Sequence, residues 1–207
     1  EQLALFHRYW MDKKATYQNL LPGWGKEQLA FNMRDLKECW PIFTDNFGTS
    51  LPQNMHINFE KLLKKYMNIW TDIANGVTSI IHFDLRLDNL FFDNDMLHSI
   101  IDWQMTRIGN VSYDLSLFIV GNVNIHSLSD YLELMQIYFR KLNFSNTGYS
   151  FKMFLNDFRK SLLCHFCREI CYLGCENFSF EQRLKYSKTV FNRYVHSIDY
   201  FCTFKLL

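Results

Sequence analysis

Three oxygen-bearing side chains stand at short intervals in the middle of the chain. Asp84 and Asn89 are five positions apart, and Asp102 follows eighteen positions after Asp84. Carboxylate and amide oxygens are the ligands with which Mg²⁺ is held against phosphate groups. If the fold brings these three side chains together, the chemistry open to them is a metal-assisted reaction at a phosphate.

Short apolar runs separate these residues and are expected to position them. The runs are bounded by clusters of Asp and Asn, a pattern typical of short buried strands or a hairpin. They span residues 77–81, 90–92 and 97–101, with a turn at 93–95. The loops at the strand ends would then hold Asp84, Asp88, Asn89 and Asp102 close together.

The order of these residues resembles a known catalytic pattern. His82-x-Asp84 followed by Asn89, an apolar strand and Asp102 resembles the catalytic loop and metal-binding Asp of kinases. The segments Arg86-Leu87-Asp88-Asn89 and Ile101-Asp102-Trp103-Gln104 narrow the resemblance to the aminoglycoside phosphotransferase family of aminoglycoside and choline kinase-like enzymes. That family reads His-Gly-Asp here, and this chain has Phe83 in place of Gly. If Phe cannot adopt the backbone conformation that Gly allows at this position, the loop has a different backbone conformation in this chain.

The resemblance implies a protein-kinase-like fold that uses ATP and Mg²⁺ to phosphorylate a small-molecule hydroxyl. It implies that Asp84 is the base, and that Asn89 and Asp102 bind the metal and with it the nucleotide. A neutral amide at 89 limits repulsion between carboxylates around the ion, and Asp102 ends an apolar strand that can hold it rigidly. His82 is expected to fix the loop through backbone hydrogen bonds rather than to transfer protons.

Two further residues have alternative roles. Arg86 either stabilises the transferred phosphate, as a catalytic residue, or pairs with Asp84 or Asp88, and the pairing is slightly favoured. Asp114 lies in a segment that resembles the family's Gly-x-x-x-x-Asp-Leu-Ala, which implies that its carboxylate braces the catalytic loop through backbone N–H groups. The alternative for Asp114 is an ordinary carboxylate in the first turn of a helix.

Composition limits the function classes. The chain has 207 residues, is 48% hydrophobic and has a formal net charge of +1, which gives no sign of a nucleic-acid partner. No apolar run approaches the roughly 18 residues of a membrane span. Residues 75–140 contain eight carboxylates against three arginines. This acidic block coincides with the metal loop and favours a cationic acceptor, such as an aminoglycoside or an amino alcohol; the alternative is an ordinary solvated acidic surface.

Four cysteines follow one face of a predicted helix: Cys164, Cys167, Cys171 and Cys175. The first and last are roughly 16 Å apart along a helix, so the four thiolates cannot converge on one ion, although neighbouring pairs could share one. We expect a buried seam of thiols, which fits a reducing, cytoplasmic compartment.

The periodicity predicts a mostly helical α+β fold in one domain, residues 1–207, with a small β-hairpin insert. The predicted helices cover residues 1–15, 26–40 (ended by Pro41), 59–74, 127–142, 151–174 and 180–204, and residues 107–110 are predicted as a loop.

The chain before residue 77 shows no β-rich lobe with a phosphate-covering loop and a nucleotide-gripping Lys. We therefore expect the chain, which begins with Glu1 rather than Met, to be the C-terminal lobe alone and to need a nucleotide lobe for activity. The missing lobe and Phe83 motivate a second hypothesis, a degenerate kinase-like binding or scaffold protein. A third, a metal-dependent phosphoesterase, would need further ligands, for which only His98, Asp93 and Asp95 are candidates.

Overall fold

The structure is a computed structural model that describes residues 1–23, 26–47, 55–94, 96–125, 127–142, 148–174, 181–201 and 203–206. Eight α-helices are assigned within these ranges: α1 (Gln2–Met11), α2 (Lys14–Tyr17), α3 (Lys26–Phe47), α4 (Met55–Ala74), α5 (Val111–Gly121), α6 (Leu128–Leu142), α7 (Phe151–Leu173) and α8 (Glu181–Tyr200). Four strands accompany them: β1 (Thr78–Ile81), β2 (Leu90–Asp93), β3 (Met96–Ile100) and β4 (Arg107–Asn110). The mostly helical prediction is confirmed.

Pro41 lies inside α3, so the prediction that it ends this helix is wrong. Proline removes one backbone N–H, which would have bonded the carbonyl four residues earlier. That carbonyl belongs to Lys37, an exposed residue, and water can satisfy it. Beyond the proline, Phe43 and Phe47 are buried. Their burial stabilises the six further helical residues that follow Pro41.

The first predicted helix is also divided. It ends at Met11, and the short α2 begins at Lys14 after a turn. At the other end of the chain, the predicted helix over 180–204 is α8, which ends at Tyr200 and is followed by a 3₁₀ turn over Thr203–Leu206.

The strands form two separate antiparallel pairs rather than one sheet. The predicted hairpin is β2 with β3, and the turn residue Asp95 lies outside the described residues. The second pair joins β1 to β4, so the loop predicted over 107–110 is wrong. Gly109 makes this pairing possible, because a Cβ there would stand 2.2 Å from Cδ1 of Ile81. Pairing with β1 brings Arg107 opposite Ile81, beside the catalytic loop.

Helix α7 is the centre of the molecule and packs against α3, α4, α5 and α8. Its thiols Cys164 and Cys167 are buried, Cys171 is half-buried, and Cys175 lies outside the described residues. Burial raises the pKa of the Cys164 and Cys167 thiols well above the usual range. These two thiols thus form the buried seam that the sequence predicts. Within the described ranges, no helix has both the length and the apolarity needed to cross a bilayer.

Candidate active site

The catalytic loop starts at His82, directly after β1, and the His82 ring ties two segments together. Nε2 donates to the carbonyl of Ile101 over 2.8 Å, and Nδ1 accepts from the backbone N–H of Asp84 over 3.3 Å. These two bonds require a neutral imidazole with its proton on Nε2. One side chain therefore joins Asp84 to the residue that precedes Asp102.

Asn89 adds a second link between the same segments. Its Nδ2 donates to the carbonyl of Asp84 over 2.9 Å, and its own carbonyl accepts from the N–H of Ile101 over 3.0 Å. Asn89 is buried, which fixes this orientation. Because Nδ2 is used by the loop, Oδ1 is the atom that Asn89 can present to a ligand.

Asp102 lies two residues after the end of β3 rather than on the strand, in a left-handed backbone conformation with φ of 63°. Aspartate tolerates this conformation better than most residues. The residue is exposed and precedes the 3₁₀ turn Trp103–Met105. The Trp103 ring lies 4.8 Å from the His82 ring, so the turn that carries Asp102 packs directly on the catalytic loop.

Both carboxylate oxygens of Asp84 face guanidinium groups. Arg168 of α7 donates from Nη2 to Oδ1 over 2.7 Å, and Nε of Arg86 lies 3.2 Å from Oδ2 without hydrogen-bond geometry. Arg86 also lies 4.0 Å from the exposed Asp88. Two roles were considered for Arg86, and in this structure its side chain forms ion pairs with Asp84 and Asp88.

Asp114, in the first turn of α5, holds the start of the loop. Oδ2 accepts from the N–H of His82 over 2.6 Å, and Oδ1 accepts from the N–H of Phe83 over 2.8 Å. The helix has a separate N-cap, because Asn110 accepts from the N–H of Ser112. The buried Asp114 carboxylate is therefore directed at the loop rather than at its own helix end.

A buried histidine of α1 completes the surroundings of Asp114. Nε2 of His7 lies 3.3 Å from Oδ2 of Asp114, and Nδ1 contacts the hydroxyl of Tyr138. The Tyr138 hydroxyl also donates to the carbonyl of Val111 over 3.2 Å. The Tyr138 hydroxyl has one proton, which it donates to Val111, so it can only accept from Nδ1 of His7. The contacts of His7 with Tyr138 and Asp114 are then both hydrogen bonds when both ring nitrogens of His7 donate.

Phe83 adopts the left-handed conformation, with φ of 72°, at the position where the family has Gly. The backbone therefore keeps a glycine-like geometry, which costs a non-glycine residue about 1–2 kcal/mol. Contacts of the buried ring offset this cost. It stacks on Tyr113 at a centroid distance of 4.7 Å and an angle of 4°, and the Arg107 guanidinium lies 3.8 Å from its centroid. The Phe83 carbonyl accepts from Arg168 over 3.2 Å.

Glu169 brings a further acidic group to this region. Burial raises the pKa of its carboxyl to about 7, although the guanidiniums of Arg168 and Arg86 act in the opposite direction and Asp84 adds to the rise. The residue is half-buried. A carboxyl that titrates near neutral pH therefore lies within electrostatic reach of Asp84.

A cavity of about 350 Å³, here named the α3–α7 pocket, lies beside the loop. Its size is within the range of small-molecule sites. Phe83 and Arg168 belong to its wall, so it adjoins Asp84. The other lining residues are mostly aromatic, thiol or polar: Asn32, Asp35 and Leu36 of α3; Tyr66 and Trp70 of α4; Met105; Arg107; Tyr113; and Cys164, Cys167 and Cys171 of α7.

Apolar side chains are exposed around the three oxygen-bearing residues. Phe91 and Phe92 follow Asn89 on β2 and are each about half exposed. Ile101, Trp103 and Met105 flank Asp102 and are also exposed. Large apolar surface of this kind marks a place where another molecule or domain binds.

The residues that a phosphoesterase would need are not gathered here. Asp93 and His98 are exposed on the hairpin, and Asp95 lies outside the described residues. Across the part of the chain that the structure describes, no three His, Cys, Asp or Glu side chains form a group able to hold a metal. A divalent ion at Asn89 and Asp102 would take its remaining ligands from water and substrate phosphates, as Mg²⁺ commonly does.

Sequence reasoning missed two residues of this site, Arg168 and His7. Arg168 carried a signal, because it lies four positions after Cys164 and three before Cys171, on the apolar face of α7. A cation on such a face implies a buried anionic partner. His7 carried no comparable signal, since a single histidine in an amphipathic helix is common on any face.

A braced His-x-Asp loop, an Asn five residues later and an Asp after the next hairpin are the features in which the chain resembles phosphotransferases of kinase-like fold. The family model for the Phosphotransferase enzyme family (APH) matches residues 4–141, about two thirds of the chain. The chain belongs to this family, which confirms the resemblance read from the sequence. No curated protein matches the chain.

Proposed function

We propose that this chain provides the catalytic and acceptor-binding surface of an ATP- and Mg²⁺-dependent phosphotransferase that phosphorylates a small-molecule hydroxyl. The observation that supports it best is the hydrogen-bonded unit of His82, Asp84, Asn89 and Ile101, which ties the loop of Asp84 and Asn89 to the residue that precedes Asp102. Phosphoryl transfer depends mainly on such positioning and on charge neutralisation.

Asp84 is the residue that orients the acceptor hydroxyl and accepts its proton. The carboxylate is held by the pair with Arg168 and by backbone bonds on either side of it, so its direction is set before the acceptor binds. Arg86, at 3.2 Å from Oδ2 and without a formed hydrogen bond, is able to turn to the transferred phosphate as charge develops there.

Asn89 and Asp102 would hold Mg²⁺. The donor set fits this ion: one amide oxygen freed by the Nδ2 bond to Asp84, and one exposed carboxylate. Bound there, Mg²⁺ would supply positive charge to offset the negative charge of the nucleotide phosphates. The exposed apolar side chains around these two residues are the surface that a nucleotide lobe and nucleotide would cover. In this proposal the chain is the C-terminal lobe of the enzyme.

The test is nucleotide binding and phosphoryl transfer in the full-length protein. Asp102→Asn is expected to abolish Mg²⁺-dependent ATP binding measured by calorimetry. Asp84→Asn is expected to keep ATP binding and thermal stability but to lower transfer by at least about a thousandfold. Asp88→Asn, at an exposed position in the same loop, is the matched control. Near-normal turnover in Asp84→Asn would disprove the assignment of the base.

A non-catalytic kinase-like binding protein is the second candidate. It is favoured by Phe83 in the place of Gly and by the two guanidiniums that already face the oxygens of Asp84. Under this reading, the wild-type protein shows no transfer from ATP to any alcohol, and Asp84→Asn changes neither ligand binding nor stability by more than about 1 kcal/mol.

A further inference from the structure

The α3–α7 pocket shares a wall with the candidate base. Arg168 lines the pocket and donates both to the Phe83 carbonyl over 3.2 Å and to Oδ1 of Asp84 over 2.7 Å. The Arg168 guanidinium thus contacts both the pocket and the Asp84 carboxylate. The helix that supplies it, α7, begins at Phe151, beyond the residues 4–141 that the family model matches.

The charges on this wall are predominantly positive. Of the described residues that line the pocket, the charged ones are Arg107, Arg168 and Asp35. Asp35 lies 4.0 Å from Nε of Arg34 and Arg168 is paired with Asp84 over 2.7 Å, and the wall itself has two guanidiniums against one carboxylate. Burial lowers the pKa of Arg107, and the nearby charge of Arg168 lowers it further. A third positive charge placed beside this pair would add to the same repulsion.

The aromatic ring next to Asp84 is already engaged by a cation. Tyr113 stacks on one face of Phe83 at an interplanar angle of 4°, so the Arg107 guanidinium, 3.8 Å from the ring centroid, must cover the other. A cationic ligand would have to displace Arg107 to use this ring. The aromatic rings and thiols that make up most of the wall instead offer contact area to an apolar body.

We propose that the α3–α7 pocket binds an apolar alcohol that is neutral or singly anionic, not a cationic amino alcohol or amino sugar. This inference rests on the proposed function, in which the bound hydroxyl is the phosphate acceptor. It departs from the expectation of a cationic acceptor, because the acidic residues of the 75–140 block, apart from Asp84, do not adjoin this pocket among its described lining.

Three probes that share a naphthalene body and a hydroxymethyl group test the charge preference. One is otherwise unsubstituted, one has a carboxylate, and one has a trimethylammonium group. Calorimetric titration of the full-length protein is expected to show at least about tenfold tighter binding of the first two than of the third. Arg107→Glu is expected to reverse this order, whereas Lys152→Glu, the same charge change at an exposed site on α7, leaves it unchanged. Tighter binding of the trimethylammonium probe to the wild type would overturn the inference.

Asp35→Asn provides a second test if Arg107→Glu fails to fold. Asp35 is on the pocket wall near the surface, and its loss is expected to tighten binding of the carboxylate probe severalfold. No gain for that probe would count against the charge argument. Transfer from ATP is measured separately: probe binding without transfer rejects the proposed function but keeps the charge preference, whereas transfer to the trimethylammonium probe alone supports the function and overturns the preference.

Discussion

Arg168 Nη2 donates to Oδ1 of Asp84 over 2.7 Å, across 84 positions of the chain. The same guanidinium donates to the Phe83 carbonyl, so one side chain of α7 fixes both the residue that replaces the family Gly and the candidate base. Burial alone would lower the pKa of Arg168, but Tyr113 and the hydrogen bond to Asp84 raise it overall. Arg168 therefore remains a cation, and its removal should affect catalysis more than folding.

Arg168→Met is expected to reduce kcat for phosphoryl transfer by at least about tenfold, with little change in KM for ATP, because Asp84 loses the partner that directs it. Arg168→Lys keeps the charge but lacks the fork that reaches both acceptors, so it should restore only part of the rate. Lys152→Met removes an exposed cation from the same helix and serves as the control. An unchanged kcat in Arg168→Met would show that Asp84 does not depend on this pair.

Phe83→Ala and Phe83→Gly separate the contribution of the ring from the backbone strain. Loss of the buried ring is expected to cost about 3–5 kcal/mol in Phe83→Ala. Phe83→Gly should cost about 1 kcal/mol less, because glycine adopts the φ of 72° without strain. Urea unfolding measures both values. Equal stability of the two variants would mean that the left-handed conformation is not retained.

Asp114→Asn is expected to destabilise the protein by about 2–3 kcal/mol, since an amide can accept only through Oδ1 and places its NH₂ against a backbone N–H. Amide hydrogen exchange at His82 and Phe83, the two donors to Asp114, should accelerate in the variant. Asp130→Asn, in the exposed first turn of α6, is the control and should change stability by less than about 0.5 kcal/mol. Unchanged exchange at both amides would contradict the bracing role.

His165 should make the protein sensitive to acid. Burial lowers the pKa of His165 to about 3, against about 6.5 when unfolded. Between these values the unfolded state binds more protons, so stability falls as the pH drops through the window. Gln can donate to the same Tyr113 carbonyl without titrating. Between pH 7 and pH 4, His165→Gln should lose about 3 kcal/mol less unfolding free energy than the wild type; an equal loss would exclude His165 as the cause.

Glu169 should act in the opposite direction. Its pKa is raised by burial to about 7, so the native state keeps a proton that the unfolded chain releases near pH 4.5. Stability contributed by this protonated form is lost as the pH rises from about 4.5 to 7. Urea unfolding at pH 5 and pH 7.5 should show a smaller decline for Glu169→Gln than for the wild type. A decline of the same size in the variant would assign the titration to another group.

The sequence was sufficient for the local part of the site. The spacing of Asp84, Asn89 and Asp102 around a hairpin depends on short apolar runs and Asp/Asn turns, signals that act over a few residues. These local signals were therefore enough to identify the family and to predict the β2–β3 pairing. The boundaries of α4, α6 and α7 followed from the apolar period in the same way, to within a few residues.

The parts that the sequence did not predict depend on partners distant in the chain. Strand β4 exists because β1, about thirty residues earlier, supplies its hydrogen bonds. Helix α3 continues through Pro41 because of burial against other helices, which overrides a local signal. The partners that were missed, Arg168 of Asp84 and His7 of Asp114, come from α7 and α1, and neither pairing has a short-range pattern. The left-handed φ of Phe83 could not be predicted from the sequence either, because the sequence shows only that Phe stands in the place of Gly.

Under the proposed function, Arg168 would link the choice of acceptor to turnover, because it contacts both the pocket and Asp84. A change in α7 that reshapes the α3–α7 pocket for another alcohol also moves the guanidinium that directs Asp84. Under the proposed function, acceptor range and reaction speed would therefore not be independent traits. Laboratory evolution toward a new alcohol should accumulate its tolerated changes on α3 and α4, whose side chains line the pocket without contacting the base.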